Sequence, residues 1–282
     1  MASLQIGMIS NEVESKTIGG WLELIDELYR NSWDQNIGRF RSSFVFRGMA
    51  DARTLLDSNL VRLAAGYQDL AKLESHILRN FRKYAHSTSA AGDSTWHWLA
   101  LAQHHGLQTR LLDWTYSPLV AAHFVTEDLN LYDRDGVIWC VNHRAGNSFL
   151  PGNFRNELEA AGADVFTAEI LDCVCRGLED LEQLSGPEFI LFLEPPSLDA
   201  RIVNQFALFS MMSRAACTMD GWLRTHSDMA RKIIIPAALK WEIRDKLDQA
   251  GITERVLYPG LDGIARWLSR YYLPRSAQPP CG

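Results

Sequence analysis

Residues 103–124 read QHHGLQTRLLDWTYSPLVAAHF, and this stretch concentrates the polar chemistry of the chain. It holds three histidines, an arginine, an aspartate and a tryptophan, and it then becomes apolar from Ser117 to Phe124. Pro118 suits the first turn of a helix and Ser117 is a candidate cap, so a buried helix is predicted to begin here. Because few structural reasons place so many polar donors beside core-forming surface, residues 103–115 are predicted to form a ligand-binding loop.

The segments on either side of this stretch mix helical and extended patterns without a regular βαβ alternation. Strands are predicted at residues 43–46, 137–141, 189–193, 207–212 and 231–235. Helices are predicted at residues 15–32, 67–86, 95–103, 118–127, 236–250 and 259–272. This pattern predicts an α+β fold, a single domain with a modest, mostly antiparallel sheet flanked by helices.

No linker, charge block or internal repeat divides the chain. The predicted organisation is therefore an N-terminal segment over residues 1–19, one domain over residues 20–272 and a flexible tail over residues 273–282.

Composition narrows the class of protein further. An apolar fraction of 47% and a charged fraction of 22% are typical of a soluble globular chain, and 282 residues are enough to bury a large core. The net charge of −6 argues against a broad basic face that wraps duplex nucleic acid. Five cysteines without repeated spacing, a start without a basic leader and no apolar run of ~18 residues predict a cytoplasmic protein outside the membrane.

Arg47 is the first candidate site residue. It follows a predicted strand and precedes Gly48, where the backbone is expected to turn sharply beside a ligand. Its planar guanidinium can bind a phosphate or a carboxylate through two parallel hydrogen bonds. The alternative is a structural ion pair with Glu74 or Asp113, and Glu74 could equally lie on a solvated helix face.

His104 and His105 carry the adjacent imidazoles of the stretch. Consecutive side chains on a helix point about 100° apart, so only one of the two is expected to face a given ligand. A helical metal site would need histidines four residues apart, and that spacing is absent here. No metal is therefore predicted.

Thr109, Arg110, Asp113, Trp114 and Thr115 complete the predicted loop. Arg110 and Asp113 are close enough in sequence to form a local ion pair. Trp114 either stacks on a planar ring of a ligand or belongs to the core. Thr115 can cap the following helix, whose free N–H groups would favour an anion.

Arg201 and Gln205 lie four residues apart on a predicted helical segment and therefore share a face. Gln205 could aim its amide at a ligand or hydrogen-bond to a neighbouring loop. The phosphate-binding glycine loops of nucleotide triphosphatases and Rossmann enzymes are missing, as is the nucleophile elbow of α/β-hydrolases.

Several motifs together resemble the FRG domain family, whose name comes from a Phe/Tyr-Arg-Gly motif. The matching segments are residues 46–48, 103–106, 109–115, 117–119, 205–209, 233–236 and 258–263. The resemblance covers residues 20–272, and its central motif is the most specific part. Met49 and Ala207 depart from it, since Gln and Gly are expected there.

A further similarity, to ADP-ribosyltransferases that use an Arg, a Ser/Thr and a late Glu, implies NAD as the substrate. In those enzymes an arginine after the first strand holds the NAD phosphates, which corresponds to Arg47 here. The similarity implies Arg47, Thr115 and Gln205 as catalytic residues. Gln205 and Glu194 are the nearest candidates for the late glutamate, although an amide cannot act as the charged partner of an oxocarbenium ion.

The same similarity implies a larger set of NAD-binding residues. They are Arg47, Gly48, His104, His105, Thr109, Arg110, Asp113, Trp114 and Arg201.

Three functions remain open from the sequence. The first is an NAD-binding, ADP-ribosyltransferase-like enzyme, a bacterial toxin or defence effector that modifies a protein or nucleic-acid target. The second is a non-catalytic module that binds a nucleotide-like small molecule or a partner protein. The third, a nuclease or nucleic-acid binder, is disfavoured by the acidic net charge. The first two require Arg47, Thr115 and Gln205 to line one cleft.

Overall fold

A computed structural model describes residues 12–64, 66–85, 92–197 and 199–274. Residues 1–11 of the predicted N-terminal segment and residues 275–282 of the predicted tail, including Cys281, lie outside these ranges. Within them, Cys140, Cys173, Cys175 and Cys217 carry free thiols. No helix in the described part of the chain is long and apolar enough to cross a membrane.

A seven-stranded sheet forms the centre of the described residues, in the order β1-β9-β6-β4-β5-β8-β7. The strands are β1 (Glu14–Thr17), β2 (Trp33–Asp34), β3 (Arg39–Phe40), β4 (Phe44–Met49), β5 (Leu112–Thr115), β6 (Gly136–Asn142), β7 (Ile190–Leu193), β8 (Ala207–Met212) and β9 (Ala230–Ile235). Neighbouring strands are antiparallel except β1 and β9, which run parallel, and β2 and β3 form a separate hairpin.

Helices surround this sheet. They are α1 (Trp21–Leu28), α2 (Asn59–Leu63), α3 (Leu70–Ala85), α4 (Thr95–His104), α5 (Pro118–Val125), α6 (His143–Gly146), α7 (Gly152–Ala161), α8 (Ala168–Val174), α9 (Leu178–Glu182), α10 (Ala200–Asn204), α11 (Met219–Thr225), α12 (Lys240–Gln249), α13 (Glu254–Leu257) and α14 (Leu261–Tyr271). The predicted α+β domain with a mostly antiparallel sheet is confirmed.

Buried side chains form clusters on both faces of the sheet. On one face, α1, α5 and α12 pack on β4, β6 and β9 in a cluster that includes Leu24, Ala122, Ile243 and Ile138. A second cluster joins α3, α4 and α7 to α9 with β7 and β8. The apolar strands β6 and β8 are interior to the sheet, as expected for strands buried on both faces.

Gly48 sets the distance between α5 and the sheet. A Cβ at this position would lie 1.8 Å from the carbonyl oxygen of Ala121, so only glycine allows the helix backbone to approach β4 this closely. The predicted sharp turn at Arg47-Gly48 is wrong, because both residues lie within β4. Gly48 is needed for close packing and not for a turn.

Two other local predictions are wrong. The first helix does not begin at Ser15, because residues 14–17 form β1 beside β9 and the adjacent Gly19 and Gly20 separate this strand from α1. The end of the predicted ligand loop, residues 112–115, is β5, which pairs along its whole length with β8. Both segments are strands because a partner strand far away in sequence takes up their backbone hydrogen bonds.

Candidate functional site

A cleft opens where β4 and β5 separate. The two strands pair through one register couple, Phe46 opposite Thr115, and no further ladder pairing joins them. By contrast, β4 pairs fully with β6, and β5 pairs fully with β8. The cleft has a volume of about 700 Å³, within the range of small-molecule sites.

Nine of the eleven residues predicted from the sequence line this cleft. They are Arg47, Gly48, His104, His105, Asp113, Trp114, Thr115, Arg201 and Gln205. Arg47, Thr115 and Gln205, which the first two hypotheses required in one place, are thus brought together. Thr109 and Arg110 do not line it.

Arg47 spans the gap between the strands. Its Nη1 donates a 2.6 Å hydrogen bond to the backbone oxygen of Asp113 and lies 3.8 Å from Asp113 Oδ2. Its side chain is 18% exposed, and its buried Nε has no hydrogen-bond partner among the described residues. Burial lowers the pKa of Arg47 from its ordinary value, while the Asp113 carboxylate opposes this shift. Since arginine stays charged in proteins, a cation with unused donor capacity faces the cleft.

Thr115 and Gln205 hold the wall of the cleft. Thr115 Oγ1 donates to the backbone oxygen of Gln205 (2.7 Å) and accepts from the backbone N–H of Ser117 (3.0 Å). Gln205 Nε2 donates to the backbone oxygen of Leu257 (3.0 Å). Ser117 occupies the predicted N-cap position of α5, but its side chain makes no cap hydrogen bond, and Thr115 Oγ1 instead accepts from the Ser117 N–H. For its Nε2, Gln205 therefore follows the predicted alternative of a hydrogen bond to a neighbouring segment.

Both histidines line the cleft, contrary to the prediction that only one would face it. The prediction assumed a continuous helix, but α4 ends at His104 and His105 follows it. His104 Nε2 lies 2.6 Å from Asp199 Oδ2, and Asp199 Oδ1 caps α10 by accepting from Ile202 N–H. Although burial raises the pKa of Asp199, the Ile202 N–H and His104 lower it below its usual value.

Trp114 and Arg201 contribute in different ways. The Trp114 side chain is buried, and its Nε1 donates to Ser210 Oγ (2.8 Å). Of the two predicted roles for Trp114, the position in the core therefore fits better than stacking on a ligand. The guanidinium of Arg201 lies 5.1 Å from the ring centroid of Tyr258, within cation–π distance. Arg201 therefore presents a second cation at the cleft, supported from behind by an aromatic ring.

Arg110 is a structural residue in the core. Its Nε lies 2.6 Å from Glu74 Oε2, its backbone N–H donates to Glu74 Oε1 (2.7 Å), and its Nη1 lies 3.1 Å from Glu182 Oε2. Glu74 is fully buried. The predicted Arg110–Asp113 ion pair, the Glu74–Arg47 pair and the solvated position of Glu74 are therefore wrong.

Asn59 and Gln103 also line the cleft, although neither was among the residues predicted individually for the site. Asn59 begins α2, more than forty residues from the central stretch, and no local pattern linked the two. Gln103 lay within the stretch itself, and its neighbours in the fold give it a role that its type alone did not indicate.

Within the described residues, no group of three His, Cys, Asp or Glu side chains is placed to hold a metal ion. The cleft instead offers two guanidinium groups, two imidazoles and one carboxylate, from Arg47, Arg201, His104, His105 and Asp113. Such a set suits a ligand that carries negative charge and hydroxyl groups.

The sequence model of the FRG domain matches residues 42–134. The matched segment is similar to the FRG domain family and carries β4, β5 and the stretch between residues 103 and 124. Arg47, His104 and Asp113 belong to it, whereas Arg201 and Gln205 come from outside it. Comparison with curated proteins gave no match, and comparison with solved structures gave none.

Proposed function

We propose that the cleft binds NAD and that the protein is an ADP-ribosyltransferase-like enzyme. The observation that carries the proposal is Arg47, a partly exposed cation that lines the cleft at the point where β4 and β5 separate. The guanidinium makes one hydrogen bond, from Nη1 to a backbone oxygen, and its side chain keeps 18% exposure at the cleft, so its remaining exposed donors can bind a phosphate oxygen.

The dimensions and charges of the cleft agree with this ligand. About 700 Å³ accommodates a dinucleotide that is partly exposed, and Arg47 and Arg201 are available for its two phosphates. The ribose hydroxyl groups can donate hydrogen bonds to Asn59 and to the Gln205 amide oxygen. They can also form hydrogen bonds with His105. In this proposal the acceptor is a protein or a nucleic acid, and the protein acts as a cytoplasmic toxin or defence effector.

A non-catalytic nucleotide-binding module is the second candidate. It is favoured by Thr115 and Gln205, because the Thr115 hydroxyl and the Gln205 Nε2 are already engaged with backbone groups of the protein. Glu194, the other candidate for the late glutamate, lines a separate cavity with Tyr116 and Phe206. These contacts support roles in holding the wall more than roles in bond cleavage.

Calorimetry with NAD and ADP-ribose, together with chromatographic detection of nicotinamide, tests both candidates. Arg47→Ala should weaken binding about 10- to 100-fold, since it removes a charge-assisted contact. Arg155→Ala is the matched control, because Arg155 is an exposed arginine on α7 outside the cleft.

Nicotinamide release by the wild type supports the enzyme, whereas binding without turnover supports the non-catalytic module. Failure of the wild type to bind either nucleotide at millimolar concentration would reject the nucleotide site itself.

A further inference from the structure

We propose that Asp113 is the catalytic carboxylate of the cleft, an inference that rests on the proposed NAD chemistry. Among the residues that line the cleft in the described part of the chain, Asp113 is the one acidic side chain. Its side chain is 57% exposed, so it faces the space that a ligand would occupy. Cleavage of a glycosidic bond needs negative charge near the sugar, and Asp113 is the group placed to supply it.

A chain of hydrogen bonds orients this carboxylate from behind. The buried Thr109 hydroxyl donates to Gln103 Oε1 (2.6 Å), and Gln103 Nε2 donates to Asp113 Oδ2 (2.9 Å). Thr109 Oγ1 in turn accepts from the Leu111 N–H (3.1 Å), so its own hydrogen is directed at Gln103. Because Gln103 Oε1 is held by a donor, its NH₂ group must face the carboxylate.

This arrangement leaves the other carboxylate oxygen available. No hydrogen-bond partner of Asp113 Oδ1 occurs among the described residues, while Oδ2 is taken by Gln103. Arg47 fixes the same residue from the opposite strand through the Asp113 backbone oxygen. Asp113 is thus held by two hydrogen bonds, one at its backbone oxygen and one at Oδ2. This is expected for a group that must be positioned before the reaction.

The location of Thr109 gives it a function that its sequence position did not show. Thr109 is 1% exposed and cannot contact a ligand, so it is a positioning residue that acts through Gln103. Gln103 is 8% exposed and connects the core to the cleft.

The proposed step is a substitution at C1′ of the nicotinamide ribose. The C1′–N bond breaks, and its electron pair stays on the ring nitrogen, which changes from a cationic pyridinium to neutral nicotinamide. Asp113 Oδ1 stabilises the positive charge that develops on the sugar. The acceptor forms a new bond to C1′, and its proton passes to the Asp113 carboxylate and then to water. With water as the acceptor, the products are ADP-ribose, nicotinamide and a proton.

Substitutions at Asp113 and Thr109 test the inference. Asp113→Asn should bind ADP-ribose within about threefold of the wild type, while nicotinamide release in single-turnover experiments should fall at least about 100-fold. Thr109→Val should lower kcat about 10-fold with little change in KM, and Thr109→Ser, which keeps the hydroxyl, should restore it. Unfolding curves of each variant show that the comparison is made on folded protein.

The outcomes separate this inference from the proposed function. Nicotinamide release by Asp113→Asn at the wild-type rate overturns the role of Asp113 and leaves an NAD enzyme. Equal kcat values for Thr109→Val and Thr109→Ser overturn the positioning chain. A wild type that binds NAD without releasing nicotinamide overturns the catalytic role but keeps a nucleotide site, and a wild type that does not bind NAD rejects both.

Discussion

Arg47 and Arg110 belong to the same FRG-matched segment but have opposite surroundings. Arg110 is 3% exposed and contacts the carboxylates of Glu74 and Glu182. Arg47 contacts one backbone oxygen at hydrogen-bond distance, keeps a carboxylate at 3.8 Å and has a side chain that is 18% exposed at the cleft. One arginine is closed within the core, and the other is open toward a cleft.

The difference indicates which charge belongs to the fold and which to a ligand. A buried ion pair becomes strongly unfavourable when one partner is removed, because the other charge stays in a medium of low dielectric. A cation that keeps unused donors in a cleft adds little to folding and is available for binding. The two sites can therefore be distinguished by how much each contributes to the free energy of unfolding.

The largest expected effect is at the buried pair. Glu74 accepts from Arg110 with both oxygens, so the NH₂ group of Glu74→Gln would face one of these donors. We expect the free energy of unfolding to fall by about 3–5 kcal/mol, measured by urea denaturation. Glu182→Gln is the matched control, because the Glu182 side chain is 26% exposed and should lose less. A loss below about 1 kcal/mol in Glu74→Gln would contradict the assignment of this pair to the fold.

A pH-dependent effect of intermediate size is expected at a second buried cluster. His123 is fully buried and its Nδ1 lies 2.7 Å from Nη1 of Arg244. Burial, with the Arg244 charge as a further cause, lowers the pKa of His123 to about 3. His123 therefore becomes protonated near pH 6.5 in the unfolded chain but stays neutral in the folded protein until about pH 3. The free energy of unfolding consequently decreases as pH falls from about 6.5 toward 3.

The decrease attributable to His123 should be at most about 1.4 kcal/mol per pH unit in this window. His123→Gln keeps an acceptor for Arg244 and removes the titration, so unfolding measured between pH 7 and pH 5 should show a shallower loss. Identical slopes for the variant and the wild type would show that His123 is accessible to protons in the folded state.

The smallest effect on stability is expected at Arg47. Arg47→Met removes one hydrogen bond to the Asp113 backbone but also the buried unpaired Nε, so the free energy of unfolding should change by less than about 1 kcal/mol. Thermal or urea unfolding of the same preparations used for nucleotide binding provides the test. A loss as large as that of Glu74→Gln would assign Arg47 to the fold and remove its proposed role.

The pattern of apolar residues was sufficient for much of the fold. The runs at residues 137–141 and 207–212 predicted β6 and β8 because consecutive apolar, β-branched and aromatic side chains suit strands buried on both faces. Two strands of the large sheet that this pattern missed are β1 and β5, which are short and carry polar side chains. Their strand character depends on pairing with β9 and β8, and those partners lie about a hundred residues or more away.

The sequence indicated which types of residue form the candidate site, but not which individual side chains face the cleft. Local sequence identified the stretch from residues 103 to 124 and the arginine before Gly48, because the residue types alone indicate anion binding. It could not distinguish Thr109 and Arg110, which face the core, from Asp113, which faces the cleft. Neighbours along the chain separate into different environments here because β5 alternates its side chains between two faces and Arg110 precedes it.

The sequence by itself determined the class of fold, the segment that matches the FRG domain and the chemical types of the residues in the cleft. Only the tertiary structure decided which arginine is neutralised, since Glu74, Glu182 and Arg110 come from α3, α9 and the segment before β5. The separation of β4 from β5, which creates the cleft, is likewise a property of the assembled sheet. The physical reason is that periodicity reports local burial, whereas charge pairing and strand divergence depend on contacts between distant segments.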